Sequence, residues 1–195
     1  MSLESTRINM ERLSFPYGGY ANWQKFSQLR CQPYGILSQW LQSQDSLTER
    51  LKALDLGFEV EVLGEQAMML CDNEKTSTSD EVYWVREVLL HLDNQPWIFA
   101  RTVIPQSLLA ISNIDFKQLG NRPLGEVLFN TTPFEQGPLT FAEHACDTPV
   151  FQAFAKDNVW SGALWGRRRP FHHQQKTLTV AETFLPAACA YLQSL

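Results

Sequence analysis

Positive charge is scarce in this chain: Lys and Arg total 16 against 21 Asp and Glu in 195 residues, a formal net charge of -5. That balance repels nucleic acid and anionic membrane surfaces, so neither is an expected partner. Long apolar runs are also missing. The longest, Phe184 to Leu192, holds Pro186 and falls far short of the ~20 residues that a membrane span needs. Met1 to Leu13 carries Glu4, Arg7, Glu11 and Arg12, which leaves no apolar h-region for a secretory signal. The four cysteines, Cys31, Cys71, Cys146 and Cys189, form no CxxC pair and show no regular spacing, which favours scattered reduced thiols over a disulfide frame or a zinc site. No GxSxG, P-loop or GxGxxG stretch occurs, so serine hydrolase, NTPase and dinucleotide readings have no foothold. These absences point to a cytoplasmic protein that acts on a small molecule and uses no metal.

What the chain does contain is side chain to bury: 44% of residues are hydrophobic, with 6 Trp, 5 Tyr and 12 Phe. Its length fits one domain over residues 1–195, since domains commonly run to ~100–200 residues. Ile36 to Leu54 is helical in pattern, but Ser46-Leu47-Thr48-Glu49 is a capping box, so two helices are expected to meet near Asp45 and Ser46. Phe58 to Leu63 alternates apolar and acidic residues as a half-wet strand does. The polar, Ser/Thr-containing stretch Cys71 to Asp80 reads as an exposed loop. Tyr83 to Leu92 and Trp97 to Ile104 flank the turn residues Asp93-Asn94-Gln95-Pro96 and predict a β-hairpin. Pro123 to Phe129 predicts a short helix opened by proline, and Leu178 to Leu185 a strand stopped by Pro186. The sum is an α+β domain: an antiparallel β-sheet flanked by helices.

Two charges fall on apolar strand faces. In Trp84, Arg86, Val88, Leu90 the guanidinium of Arg86 shares its face with core residues, and in Leu178, Val180, Glu182, Phe184 a carboxylate does the same. A buried charge needs a partner. Either Arg86 and Glu182 pair with each other, or lie at a wet sheet margin, or they line one cavity and hold a small anionic ligand bearing a hydroxyl or ether oxygen. Leu124 and Leu47 stand at predicted helix starts, where backbone N–H groups lack intrahelical partners and can bind carboxylates unless caps or water satisfy them. Arg167-Arg168-Arg169 reads as a solvated basic run. His144, His172 and His173 have no Cys or carboxylate at ligand spacing, so no metal is expected.

The segments Tyr83-Trp84-Val85-Arg86-Glu87-Val88-Leu89-Leu90, Pro96-Trp97 to Ala100-Arg101-Thr102-Val103-Ile104-Pro105, Pro123-Leu124-Gly125 to Leu128-Phe129, Leu164-Trp165-Gly166-Arg167-Arg168 and Glu182-Thr183-Phe184-Leu185-Pro186 resemble, in order, the motifs of the bacterial chorismate pyruvate-lyase family. Asp45-Ser46-Leu47-Thr48 to Arg50 is similar to that family's early helix motif. The resemblance covers most of Asp45 to Pro186 and leaves 1–44 as an extended N-terminal segment. It implies an enclosed ligand cavity under helical flaps and conversion of chorismate to 4-hydroxybenzoate and pyruvate, the entry step of ubiquinone synthesis, without metal or organic cofactor. It also implies Arg86 and Glu182 as the catalytic and ligand side chains, with backbone contacts at Leu124 and Leu47 in a monomer. Ala100 stands where the family usually has Gly, and Asn130 to Ala163 is longer than its usual spacing. The alternative is a non-enzymatic effector-binding domain of related fold that binds a small carboxylate; the residues before Asp45 contain no basic recognition helix for reading DNA.

Overall fold

The structure is a computed structural model and describes residues 14–71, 74–75, 82–130, 134–156, 160 and 162–195. Strands β1 (Phe58–Met68), β2 (Tyr83–Leu92), β3 (Gln95–Pro105), β4 (Glu135–Gln136), β5 (Thr140–His144), β6 (Leu164–His173) and β7 (Lys176–Phe184) form one antiparallel sheet. Its order is β1-β2-β3-β7-β6-β4, with β5 also paired to β6. Helices α1 (Gly35–Gln42), α2 (Leu47–Lys52), α3 (Gln106–Ile111), α4 (Leu124–Asn130), α5 (Pro149–Phe154) and α6 (Pro186–Gln193) complete it. The expected α+β architecture is the one observed.

Local chemistry explains where most elements begin and turn. The β2–β3 hairpin closes on Asp93 and Asn94 alone, both left-handed (φ 46° and 62°), the type I′ geometry whose twist matches the strands. The strand therefore resumes at Gln95, ahead of the expected Trp97. Ser46 caps α2 by accepting the Glu49 N–H at 3.3 Å, so α1 and α2 do meet at Asp45 and Ser46. Pro186 ends β7 and also opens α6, whose first turn does not need its missing N–H. In α6, burial pushes the Cys189 thiol up to about 12, so it behaves as a small apolar side chain.

Register sorts the side chains by face. Residues directly opposite on paired strands point the same way, so Glu65, Arg86, Thr102, Val180 and Arg169 make one row across β1, β2, β3, β7 and β6. Val62, Val88, Ala100, Glu182 and Arg167 make the next row on the same front face. Two apolar clusters flank these rows. One joins Leu37, Trp40, Leu41, Leu47 and Leu51 of α1 and α2 to Val88, Leu90 and Ile98, and the other joins Leu108, Leu124 and Leu128 of α3 and α4 to Ile104 and Leu178.

The back face carries its own charges. Glu87, fully buried, accepts the N–H groups of Tyr17 and Gly18 at 2.8 Å each. Arg101, opposite it on β3, donates to Glu87 at 2.6 Å and to both oxygens of Glu74 at 2.8 Å. Burial works against the Arg101 charge, but hydrogen bonds and charge from Glu74 and Glu87 outweigh it and raise its pKa. Gly18 is required here, because a Cβ would lie 2.3 Å from the Arg101 Cδ. Tyr17 and Gly18 are thus fastened behind the sheet through their backbone. Glu74 also corrects the expectation of an exposed loop over Cys71–Asp80: a carboxylate drawn to Arg101 is buried, while residues 72–73 and 76–80 of that stretch lie outside the described residues.

His144, at the end of β5, is buried and shares a 3.1 Å hydrogen bond with the Thr183 hydroxyl. Burial lowers its pKa to about 4. The unfolded chain takes up this proton from about pH 6.5 downward and the folded chain only near 4, so this contribution is complete above pH 6.5 and lost as pH falls toward 4. Urea unfolding between pH 7 and 4 should show an acid loss of stability that is smaller by roughly 2–3 kcal/mol in His144→Gln than in the unaltered protein.

Candidate functional site

Arg86 and Glu182 do share the front face, as the apolar alternation on β2 and β7 requires, but they do not neutralise one another. Each has its own partner. Arg86, 3% exposed, forms an ion pair through Nη1 with Glu65, the residue opposite it on β1. Its Nη2 donates to the Gly120 carbonyl at 2.7 Å and reaches the Arg122 carbonyl at 3.5 Å. Glu182 accepts from Arg167 Nε at 2.7 Å across the β6–β7 pair. The carboxylate that reads as solitary in the sequence therefore has a cation beside it.

Arg167 corrects the reading of the arginine run as solvated. It is 3% exposed and Arg169 is 6% exposed. Both side chains point forward from β6, and only Arg168 points to the back, where its guanidinium lies 5.1 Å from the Trp23 ring centre. Arg167 Nη1 donates to the carbonyls of Trp40 and Ser43 at 3.3 and 2.9 Å. Arg169 donates to the Gln44 carbonyl at 3.0 Å, to the Gln44 side chain at 2.6 Å and to the Gln136 side chain. Burial first, and then the neighbouring Arg167, lower the pKa of Arg169.

These bonds tie the covering helices to the sheet. Arg86 grips the chain just before α4; Arg167 and Arg169 grip the last turn of α1 and the chain that leads to α2. The first helical residues after those grips are Leu124 and Leu47, both buried, whose N–H groups have no carbonyl four residues back within the helix. The two helix starts also meet. A Cβ on Gly125 would stand 3.0 Å from Thr48 Oγ1, and Lys52 pairs with Glu126 between the helices. The front face thus carries two paired cations, two carboxylates and two helix starts around the short side chains of Val88, Ala100, Thr102 and Val180. It can hold an anion and place a carboxylate beside it. Among the described residues no cluster of three or more His, Cys, Asp or Glu is arranged to hold a metal.

Sequence reasoning missed Arg167, Arg169 and Glu65. Their signal was present as a period of two, Trp165, Arg167, Arg169 against Leu164, Gly166, Arg168, but recognising it required β6, and Glu65 required β1 to run past Leu63 to Met68.

The family model described as chorismate lyase matches residues 19–194. A Shewanella sp. (strain ANA-3) protein named probable chorismate pyruvate-lyase is 43% identical over 183 residues, covering 93% of this chain and 96% of that protein. A Pseudoalteromonas atlantica protein of the same name is 36% identical over 188 residues, covering 93% and 94%. Among solved structures, a GntR-family transcriptional regulator from Bacillus cereus matches with a TM-score of 0.49 at 12% identity, covering 67% of this chain and 92% of that one. The effector domain of PhnF from Mycobacterium smegmatis matches with a TM-score of 0.47 at 14% identity, covering 80% and 93%. Likenesses that distant carry no functional meaning.

Removing Arg167 should damage the fold more than removing its partner's charge. Arg167→Met strands Glu182 and releases the Trp40 and Ser43 carbonyls, and should cost about 3 kcal/mol in urea unfolding. Glu182→Gln takes the anion from Arg167 but keeps an oxygen for its Nε and leaves the Trp40 and Ser43 carbonyls bonded, so it should cost distinctly less.

Proposed function

The chain belongs to the chorismate lyase family, and on that premise we propose that it eliminates pyruvate from chorismate to leave 4-hydroxybenzoate, the aromatic acid that enters ubiquinone synthesis. The observation that carries this reading is the family match over residues 19–194. The geometry supports it independently, because the front face offers cations, a carboxylate and two helix starts to one small dicarboxylate.

Chorismate bears its enolpyruvyl ether on the ring carbon beside the one carrying the hydroxyl. The ring C–O bond breaks with its electron pair going to the enolpyruvyl oxygen. The hydrogen on the neighbouring carbon leaves as a proton, and the ring becomes aromatic. The enol fragment takes up a proton to become pyruvate. Aromatisation drives the reaction, so the protein has chiefly to hold the ring in a reactive geometry and assist the departing oxygen. In this reading Arg86 clamps the ring carboxylate with the Leu124 N–H beside it, as a guanidinium with five donors can do while still bonded to Glu65 and Gly120. The Leu47 N–H contacts the ligand from α2. Glu182 bonds the hydroxyl or ether oxygen, and Arg167 fixes its position. In this reading the ligand sits on the front face under the starts of α2 and α4, and the protein works as a cytoplasmic monomer with no cofactor.

Products decide the reaction. Chorismate incubated with purified protein should give 4-hydroxybenzoate and pyruvate in equal amounts, with or without EDTA. An isomer of chorismate that retains the side chain would reject a lyase, unchanged chorismate would favour an effector-binding domain, and activity restored only by a divalent metal would reject the cofactor-free reading.

Two substitutions test the residues. Arg86→Ala should weaken 4-hydroxybenzoate binding, measured by titration calorimetry, by about 1.5–3 kcal/mol, the range for hydrogen bonds to charged groups. Glu182→Gln keeps shape and a hydrogen bond but cannot exchange a proton, so turnover should fall by ~10²–10⁴ at temperatures where the variant is still folded. Near-normal turnover would leave Arg86 and the Leu124 N–H to carry the reaction by positioning alone.

A further inference from the structure

Chorismate has two carboxylates, and the roles assigned so far hold only the one on the ring. Among the described residues the front face has three buried guanidinium groups, Arg86, Arg167 and Arg169. Two have a carboxylate in direct contact, Glu65 for Arg86 and Glu182 for Arg167. Arg169 is the exception. Among the described residues its hydrogen bonds all go to neutral oxygens, those of Gln44 and Gln136; the Phe129 ring centre lies 5.9 Å away, and the charges of Glu182 and Asp45 act on it without a hydrogen bond. A buried cation with no anion in direct contact gains from one that a ligand brings. Those bonds use Nη1 and one hydrogen of Nη2, so Nε–H and the second Nη2 hydrogen remain, donors of the kind that a carboxylate takes in pairs.

Its position fits the same conclusion. Arg86 and Arg169 stand in one row of the sheet with Thr102 and Val180 between them. Three strand spacings separate them, about 14 Å between backbones. The intervening side chains are short, and so are those of Val88 and Ala100 in the next row. Cations thus stand at the two ends of a low floor, with Glu182 beside it.

We propose that Arg169 binds the substrate's second carboxylate, the one on the departing three-carbon unit, while Arg86 binds the carboxylate on the ring. The proposal rests on the lyase reading above. Its particular consequence is that Arg169 serves chorismate and not 4-hydroxybenzoate, which has lost the three-carbon unit.

The test compares the two ligands on Arg169→Gln. The KM for chorismate should rise ~10- to 100-fold, the loss of one charge-assisted carboxylate contact. Both kcat and the Kd for 4-hydroxybenzoate should stay within about threefold, because the interaction is uniform through the reaction and absent from the product complex. Arg169→Lys keeps the buried charge and the stem but loses the planar fork, so it should show a smaller rise in KM with the product Kd again unchanged, and it substitutes for the Gln variant if that one fails to fold. A folded variant with unaltered chorismate KM would make Arg169 only a latch for Gln44 and overturn the proposal. Equal weakening of chorismate and 4-hydroxybenzoate would also overturn it, since Arg169 would then act on the ring carboxylate or on the whole site. No turnover by the unaltered protein would overturn the lyase reading and the subsite with it, whereas turnover with an unmoved KM in the variants overturns the subsite alone.

Discussion

A guanidinium cannot be neutralised near physiological pH and carries donors on several sides, so burying one obliges the surrounding chain to bring oxygen to it from more than one direction. The sheet of this protein buries such groups on both faces, and the rest of the molecule is arranged to meet that demand. In front, the chain before α4 turns its Gly120 and Arg122 carbonyls to Arg86, and the end of α1 with the chain after it turns those of Trp40, Ser43 and Gln44 to Arg167 and Arg169. Behind, Glu74 and Glu87 converge on Arg101, and Glu87 in turn accepts backbone N–H groups from the N-terminal segment. Helix docking in front and chain anchoring behind are two answers to the same desolvation problem.

The sequence was readable where local chemistry alone decides the structure. Asp93-Asn94 tolerates left-handed backbone and announces its hairpin, and Ser46 with Glu49 announces a helix start. The second hairpin, β6 to β7, was hidden for the converse reason. It turns on Gln174 and Gln175, also left-handed (φ 45° and 63°), and glutamine gives no turn signal because its longer side chain lacks the local backbone bonds of Asn and Asp. The strand pairing on either side imposes that conformation. Losing β6 meant losing the direction of its arginines, so a buried pair looked like a wet run.

Partner assignment was the other illegible part. Alternation along β2 and β7 correctly puts Arg86 and Glu182 on one face, because period two is a property of each strand by itself. Which charge meets which depends on strand order, and order is non-local: β3 lies between β2 and β7, which separates Arg86 from Glu182, while β1 and β6 bring Glu65 and Arg167 alongside them. The same non-local step brings Tyr17 and Gly18 to the back face, although nothing in the composition of the N-terminal segment points there.

The three consecutive arginines of β6 divide by parity, two forward and one backward. That division constrains how the segment can change over evolutionary time. A point substitution in Leu164–His173 alters one contact, but insertion or deletion of a single residue between Leu164 and Arg167 exchanges the faces of everything downstream. The front would keep one cation where it now has two, and the back would gain a second where Trp23 accommodates one. Length changes in this chain should therefore spare β6 itself.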